Sequence, residues 1–274
     1  ESYWYPSIKL YRQSQEDQWE KAFQQIKTEL QVHQSDANKT NQSKINSNLN
    51  DEELVNKAVG YHAKGNLKEA SKYYQLILDK GFQNPIVLSN YGAILQQNGE
   101  IQEAIKLYQK SIDLFPNHPS AYSNLGNLLR DLGDLQKAET LTRKSINLNP
   151  NYAIAHSNLA NILQELGNIK EAELHVRKAI KLKPDFANAY YNLGNISKDL
   201  GNIKEAEFNL RKAIQINPDY KEAHNNLGII LNELGKLKEA ESSQRKAIKI
   251  KPDFAEAHSN LGIILNKLGK LKEA

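Results

Sequence analysis

From residue 51 onward, apolar and polar positions return in the same order every 34 residues. The stretch 187–220, ANAYYNLGNISKDLGNIKEAEFNLRKAIQINPDY, shows the unit most clearly. Leu193, Leu200, Ile203, Leu210, Ala213 and Ile214 supply apolar faces at helical spacings. Leu193-Gly194 recurs as Leu125-Gly126, Leu227-Gly228 and Leu261-Gly262, and Gly201 as Gly65, Gly99, Gly133, Gly167, Gly235 and Gly269. Ala206 and Pro218 recur in the same phase, the latter as Pro116, Pro150, Pro184 and Pro252. A fixed period of this length marks a repeat array, in which each unit is one supersecondary element that cannot bury its apolar face alone.

Each unit reads as two helices. Asp185, Asp219 and Asp253 are expected to cap the first helix, with Asp219–Glu222 and Asp253–Glu256 as box-like pairs. The first helix should end at Gly201, where a left-handed residue is needed and glycine adopts it without a Cβ penalty. Asn202 is expected to cap the second helix with Glu205 three residues in. Asn66/Glu69 and Asn168/Glu171 repeat the device, and Glu100, Lys236 and Lys270 depart from it. Pro218 stops the second helix, because it has no N–H to donate and disfavours helical geometry just before itself. Gly194 and Ala206 are small, so neighbouring helices can approach closely. The expected organisation is six full units (51–84, 85–118, 119–152, 153–186, 187–220 and 221–254) and a partial seventh at 255–274.

The first fifty residues break the pattern. Trp19, Phe23, Ile26 and Leu30 form one helical stripe behind an aromatic opening at Tyr3-Trp4-Tyr5. Residues 31–50 carry only Val32, Ile45 and Leu49 as aliphatic side chains, too little apolar area to offset ordering entropy, and read as a flexible linker. With no methionine anywhere and a last unit that stops part-way, the sequence reads as a piece of a longer protein.

Composition narrows the chemistry. The net charge of +4 is spread along the repeats, too diffuse for a nucleic-acid footprint. With no cysteine, neither a disulfide scaffold nor a thiolate metal site can form. No apolar run approaches the ~18–20 residues of a membrane span, and no secretory signal is visible, so a cytoplasmic location is the default. The histidines His156, His224 and His258 share the fourth slot of the unit with Tyr122 and Tyr190 and read as packing residues. His33, His62, His118 and His175 form no ligand spacing. No nucleophile–base arrangement or phosphate-binding loop is present, so the stretch is expected to be non-catalytic and to need no cofactor or metal.

The Leu-Gly, Gly, Ala and Pro slots at these spacings resemble the tetratricopeptide repeat, over 51–274. The resemblance implies an all-α solenoid, a right-handed superhelix of helix-turn-helix units with a concave groove. Repeats such as FAEAHSNLGIILNKLGKLKEA and the run GNIKEAE are most similar to the superhelical array of O-linked N-acetylglucosamine transferase. Separately, WYPSIKLYRQ at the start, with Asp17-Gln18-Trp19, resembles the C-terminal edge of bacterial glycosyltransferase-like domains, which makes 1–30 the expected remnant of a preceding domain. The first unit is degenerate, with Lys57-Ala58 in place of Leu-Gly.

In that family the sixth slot of the first helix faces the groove. Here it is always asparagine: Asn56, Asn90, Asn124, Asn158, Asn192, Asn226 and Asn260. Asn127, Asn161 and Asn195 lie one turn further on the same face. An amide can pair with both N–H and C=O of an extended peptide, so the expected site is a peptide-binding ladder of Asn90, Asn124, Asn127, Asn158, Asn161, Asn192, Asn195, Asn226 and Asn260. The competing account is that the sixth-slot amides help pack adjacent first helices. Further along run Asp131, Glu165, Asp199 and Glu233, with Arg130 and Lys198 beside two of them, either groove charges or solvated helix ends. The sixth slot is never basic and the second slot holds no lysine, which argues against a carboxylate clamp of the chaperone-binding type. The pairs Glu139–Arg143, Glu173–Arg177, Glu207–Arg211 and Glu241–Arg245 read as a solvated outer face. The expected function is binding of protein or extended peptide segments. The alternatives are an acceptor-presenting arm of a larger glycosyltransferase-like enzyme, and a self-associating structural spacer. Neither nucleic acid nor membrane is expected as a partner.

Overall fold

A computed structural model describes residues 49–270, so the expectations for 1–48, including the aromatic opening and most of the linker, lie outside the described residues. Among the described residues there are helices and turns and no strand. They divide into two compact units, one ending at Lys80 and the other beginning at Gly81.

The first unit holds α1 (Asp51–Ala63) and α2 (Leu67–Asp79). Leu54, Val55 and Ala58 of α1 and Ala70, Tyr73, Tyr74 and Ile77 of α2 are buried. Lys57, at the degenerate position, lies with its ammonium 5.1 Å from the centre of the Tyr73 ring, which also stacks on Tyr61.

The second unit holds the first helices α3 (Pro85–Gln97), α5 (Pro119–Asp131), α7 (Ala153–Glu165), α9 (Ala187–Asp199), α11 (Lys221–Glu233) and α13 (Ala255–Lys267). Between them come the second helices α4 (Ile101–Leu114), α6 (Leu135–Leu148), α8 (Ile169–Leu182), α10 (Ile203–Ile216) and α12 (Leu237–Ile250). Every first helix begins at the first position of the repeat as phased from the sequence. From α5 to α11, each first helix packs on the second helix of its own repeat and on that of the repeat before; α3, α5, α7 and α9 also pack side by side, as do α11 and α13, while Asn226 joins α11 to α9. The apolar core is therefore a row of local cores. One of them joins Leu159, Leu163, Val176 and Ala179 to Ala189, Leu193 and Ile196 of the following repeat.

The turns obey the local rules. Gly65, Gly99, Gly133, Gly167, Gly201, Gly235 and Gly269 all have φ between 72° and 86°, the left-handed region. α10 stops at Ile216, two residues before Pro218, as proline requires.

The caps differ from expectation. The residues at the N-termini of α9, α11 and α13 are Phe186, Tyr220 and Phe254, none with a side-chain capping bond. Asp185, Asp219 and Asp253 lie one residue too early, so the box-like pairs with Glu222 and Glu256 do not form. A cap is worth about 1 kcal/mol, whereas burying an aromatic ring is worth about 1.5–3 kcal/mol. Phe186 sits partly buried against the core at this position, so the ring takes it. Among the second helices, Asn66 and Asp134 accept capping bonds, from Glu69 and Lys137 N–H at 3.3 Å, but Asn168 and Asn202 do not. Asn50 and Glu53 form a full capping box at 2.9 Å in each direction, a device the sequence pattern did not bring out.

The tightest packing occurs where the two helices of a repeat cross. A Cβ added at Gly126 would stand 2.3 Å from Thr142 Oγ1 and 3.0 Å from the backbone oxygen of Ala138. At Gly194 the obstruction is Leu210 at 2.9 Å, and at Gly228 it is Gln244 at 2.4 Å. The repeat starting at 153 has alanine here, Ala160, fully buried opposite Val176. Gly126→Ala is expected to lower the unfolding free energy by about 1–3 kcal/mol through overpacking, despite alanine's better helix propensity. Urea denaturation would measure it, and an unchanged midpoint would mean the helices part without cost.

Candidate functional site

The asparagines predicted to form the ladder lie in register on the first helices of the second unit. The amide nitrogens of Asn124, Asn158, Asn192, Asn226 and Asn260 reach back to the preceding first helix. Asn124 Nδ2 donates to the carbonyl of Ser89 at 3.4 Å, and Asn158 Nδ2 to Ser123 Oγ at 3.0 Å. Asn192 Nδ2 donates to Ser157 Oγ at 3.0 Å and Asn260 Nδ2 to Asn225 Oδ1 at 2.9 Å. Asn226 donates to Tyr191 OH at 3.2 Å and to Asn195 Oδ1 at 2.9 Å. These amides therefore stitch adjacent first helices together. Asn192 is 6% exposed, so its amide is buried between the helices. The half-buried Asn127 and Asn161, one turn on, have no hydrogen-bond partner among the described residues.

A second row of rungs lies about two turns further along. Gln96 donates to Asp131 at 3.4 Å and Gln164 to Asp199 at 2.5 Å, while Arg130 approaches Glu165 at 3.5 Å. Lys267 donates to Asn232 Oδ1 at 2.9 Å. The preceding helix thus hydrogen-bonds Asp131 and Asp199 through neutral amides and pairs charge only with Glu165, through Arg130. The partners Gln96 and Gln164 were not singled out from the sequence, although their position beside the acids of the next repeat carried the signal.

Between these rows the face is hollowed. An open pocket of about 550 Å³ is lined by Asn124, Asn127 and Asn158 together with Asp131 and the apolar Leu132 and Ile154. Leu132 and Ile154 are exposed at 53% and 39%. A smaller pocket of about 260 Å³ is lined by Asn195 and Asn226, with Lys198, Asp199 and Ile229. The arrangement offers amides and paired charges around modest apolar floors, suited to holding an uncharged polar chain with occasional apolar side chains.

On the opposite side, the outer Glu–Arg pairs do more than stabilise single helices. Arg143 contacts Glu139 of its own helix and Glu171 of the next repeat, both at 2.8 Å. Arg177 bridges Glu173 and Glu205 at 2.7 and 2.6 Å, and Arg211 bridges Glu207 and Glu239 at 2.9 and 2.5 Å. The expected solvated pairs are also ties between second helices.

Four of the fourth-slot residues, Tyr122, His156, His224 and His258, share one role. Tyr122 OH donates to the Pro116 carbonyl at 3.1 Å. The Nε2 atoms of His156, His224 and His258 lie 3.0, 2.9 and 2.8 Å from the carbonyls of Pro150, Pro218 and Pro252. At these four positions tyrosine and histidine are interchangeable because each places a donor where the proline-terminated helix leaves a carbonyl. Two histidines that the sequence kept apart also meet: His156 Nδ1 and His175 Nδ1 are 2.9 Å apart, their rings stacked at 5.2 Å. Since His156 must donate from Nε2 to a carbonyl, its Nδ1 accepts and His175 Nδ1 donates. Glu171 lies 3.7 Å from His175 Nε2, with Arg143 and Lys178 nearby. Among the described residues, no group of three or more side chains is placed to hold a metal ion.

Burial lowers the pKa of both histidines; Lys178 adds to this at His156, and His156 and Arg143 add to it at His175, against Glu171. The unfolded chain then binds more protons than the native one just below the ordinary value of 6.5. The contribution is in place above 6.5 and is lost as the pH falls through the lowered native values. Unfolding free energy from urea titrations is expected to drop between about pH 7.5 and 5. His156→Tyr, which keeps the donor to Pro150, is expected to flatten that slope, and an equal slope in the variant would contradict the assignment.

Family profiles described as tetratricopeptide repeat match residues 84–150, 121–185, 187–220 and 209–242, and one described as TPR repeat matches 228–269, together covering more than half of the chain. Among solved structures, a chain of the APC/C hetero-tetramer Cut9–Hcn1 is 18% identical with a TM-score of 0.74, over 82% of this chain and 45% of that one. This chain therefore spans less than half of that relative's length. TTC0263, a thermophilic TPR protein of Thermus thermophilus, is 20% identical with a TM-score of 0.58, over 67% of this chain and 100% of that one. At these identities the likeness is one of fold. No curated protein sequence matches the chain.

Proposed function

We propose that this chain, which belongs to the tetratricopeptide repeat family, is a non-catalytic protein-binding scaffold that holds an extended peptide along the asparagine-bearing face of its first helices. The observation that carries this reading is the pair of pockets on that face, each lined by predicted ladder residues. The inter-helix contacts refine the roles. Asn124, Asn158, Asn192, Asn226 and Asn260 commit their amide nitrogens to neighbouring helices; Asn124, Asn158 and Asn260 can offer a peptide their carbonyl oxygens, whereas Asn192 is buried and Asn226 Oδ1 accepts from Asn225. Asn127 and Asn161 keep both donor and acceptor, and are the groups best able to pair with peptide N–H and C=O. Each such bond contributes about 0.5–1.5 kcal/mol net, so affinity would be shared over several repeats, with little sequence preference beyond the apolar floor at Leu132 and Ile154.

The mixed, paired charges of the acidic row fit a peptide better than a polyanion. The acceptor-presenting reading rests on 1–30, outside the described residues, and adds no geometry here.

Selecting a random peptide library on the immobilised chain, then measuring the recovered peptide by fluorescence anisotropy, tests the proposal. Asn127→Ala with Asn161→Ala is expected to weaken binding roughly tenfold, the equivalent of about 1.4 kcal/mol, without changing the melting temperature. These two positions are preferable to Asn158 or Asn192, whose removal would also break helix–helix bonds. Recovery of no peptide, or full affinity in the double variant, would overturn the reading.

A further inference from the structure

The second helices carry a surface that peptide binding does not use. α6, α8, α10 and α12 each have more lysines and arginines than acids, whereas the first helices α3, α5, α7, α9, α11 and α13 are neutral or acidic. The excess sits in rows along the outer face. Lys170, Lys204 and Lys238 occupy one row, and Lys181 and Lys249 another three turns along. None of these five lysines has an acidic partner among the described residues, because the nearby glutamates are engaged by Arg177, Arg211 and Arg245.

Between the two lysine rows stand Leu174 and Phe208, the most exposed large apolar side chains among the described residues, at 70% and 59%. They stand on the consecutive second helices α8 and α10, on opposite sides of an ion pair that joins the two. The 2.6 Å bridge from Arg177 to Glu205 joins one turn of α8 to one turn of α10. Leu174 lies one turn before Arg177 and Phe208 one turn after Glu205. The equivalent positions on α6 and α12 are Thr140 and Ser242, so the apolar pair is confined to the middle of the basic face.

We infer that this face docks on an anionic lipid surface, with Leu174 and Phe208 entering the headgroup region and the lysine rows meeting lipid phosphates. Unpaired cations around an apolar centre complement a surface that is negative outside and apolar beneath. Lysine stems lie along apolar surface while their ammonium groups stay in the polar layer. Leu174 and Phe208 protrude and do not line a trough, so a rigid protein partner would need a cavity for each, whereas a bilayer yields to both. The contact is peripheral: no helix among the described residues is long and apolar enough to cross a membrane. It leaves the asparagine face turned the other way and open.

Co-sedimentation with vesicles of phosphatidylglycerol and phosphatidylcholine, against phosphatidylcholine alone, tests this. Binding is expected only to the anionic vesicles and should fall as salt rises from about 0.05 to 0.5 M. Leu174→Ser with Phe208→Ser should reduce the vesicle partition coefficient roughly tenfold or more, and Lys170→Glu with Lys204→Glu by a similar factor. Both pairs are on the surface, so circular dichroism should show unchanged melting. No sedimentation, equal sedimentation with both vesicles, or binding indifferent to the apolar pair overturns the inference. Binding of polyglutamate with the same Leu174 and Phe208 dependence, and of no vesicle, would overturn it in favour of an acidic protein surface.

Discussion

The close crossing between the first and second helix of each repeat is the constraint on which the rest depends. At Gly92, Gly126, Gly194 and Gly228 an added Cβ would stand 2.3–2.9 Å from the side chain sixteen residues on. That side chain changes from repeat to repeat, as Tyr108, Thr142, Leu210 and Gln244, so the glycine does not match one partner shape. It sets the separation between helices, and the facing side chain fills what remains. Where the slot carries a methyl, at Ala160, the facing residue is the compact Val176. Polar residues are admitted at this buried crossing when a nearby backbone group receives them. Thr142 Oγ1 donates to the Ala138 carbonyl at 2.8 Å, and Gln244 Nε2 to that of Asn225 at 3.0 Å.

With that separation fixed, successive first helices lie side by side with their side chains offset, and the rungs follow. Residues one repeat plus one position apart face each other, so Asn158 meets Ser123 and Gln164 meets Asp199. On the outer side a different spacing, 28 residues, lets one arginine serve a glutamate of its own helix and one of the next. Such exposed ion pairs contribute little singly, but here they consume the acids of the outer face. What remains unpaired is cationic outside and amide-rich inside, and the two faces offer different chemistry although every repeat is built alike.

The fold alone decides neither partner. Similar solenoids host unrelated roles, so function has to be argued from particular side chains. In this chain the informative positions are those that vary between repeats: Ile154 and Asn127 inside, Leu174 and Phe208 outside. Positions present in every repeat explain the architecture.

The sequence by itself determined the period, the two-helix unit, and the left-handed turn at each glycine from Gly65 to Gly269. These are local requirements of the backbone, and a residue type announces them without reference to its neighbours in space. It also identified which face of the first helices holds the asparagines. Only the tertiary structure decided that Phe186, Tyr220 and Phe254, and not the preceding aspartates, occupy the helix starts, since ring burial against another helix outweighs a local cap. Only it brought His156 to His175, and only it showed that the ladder amides spend their nitrogens on the helix before. Those outcomes depend on the offset and distance between packed helices, which spacing along one chain does not encode.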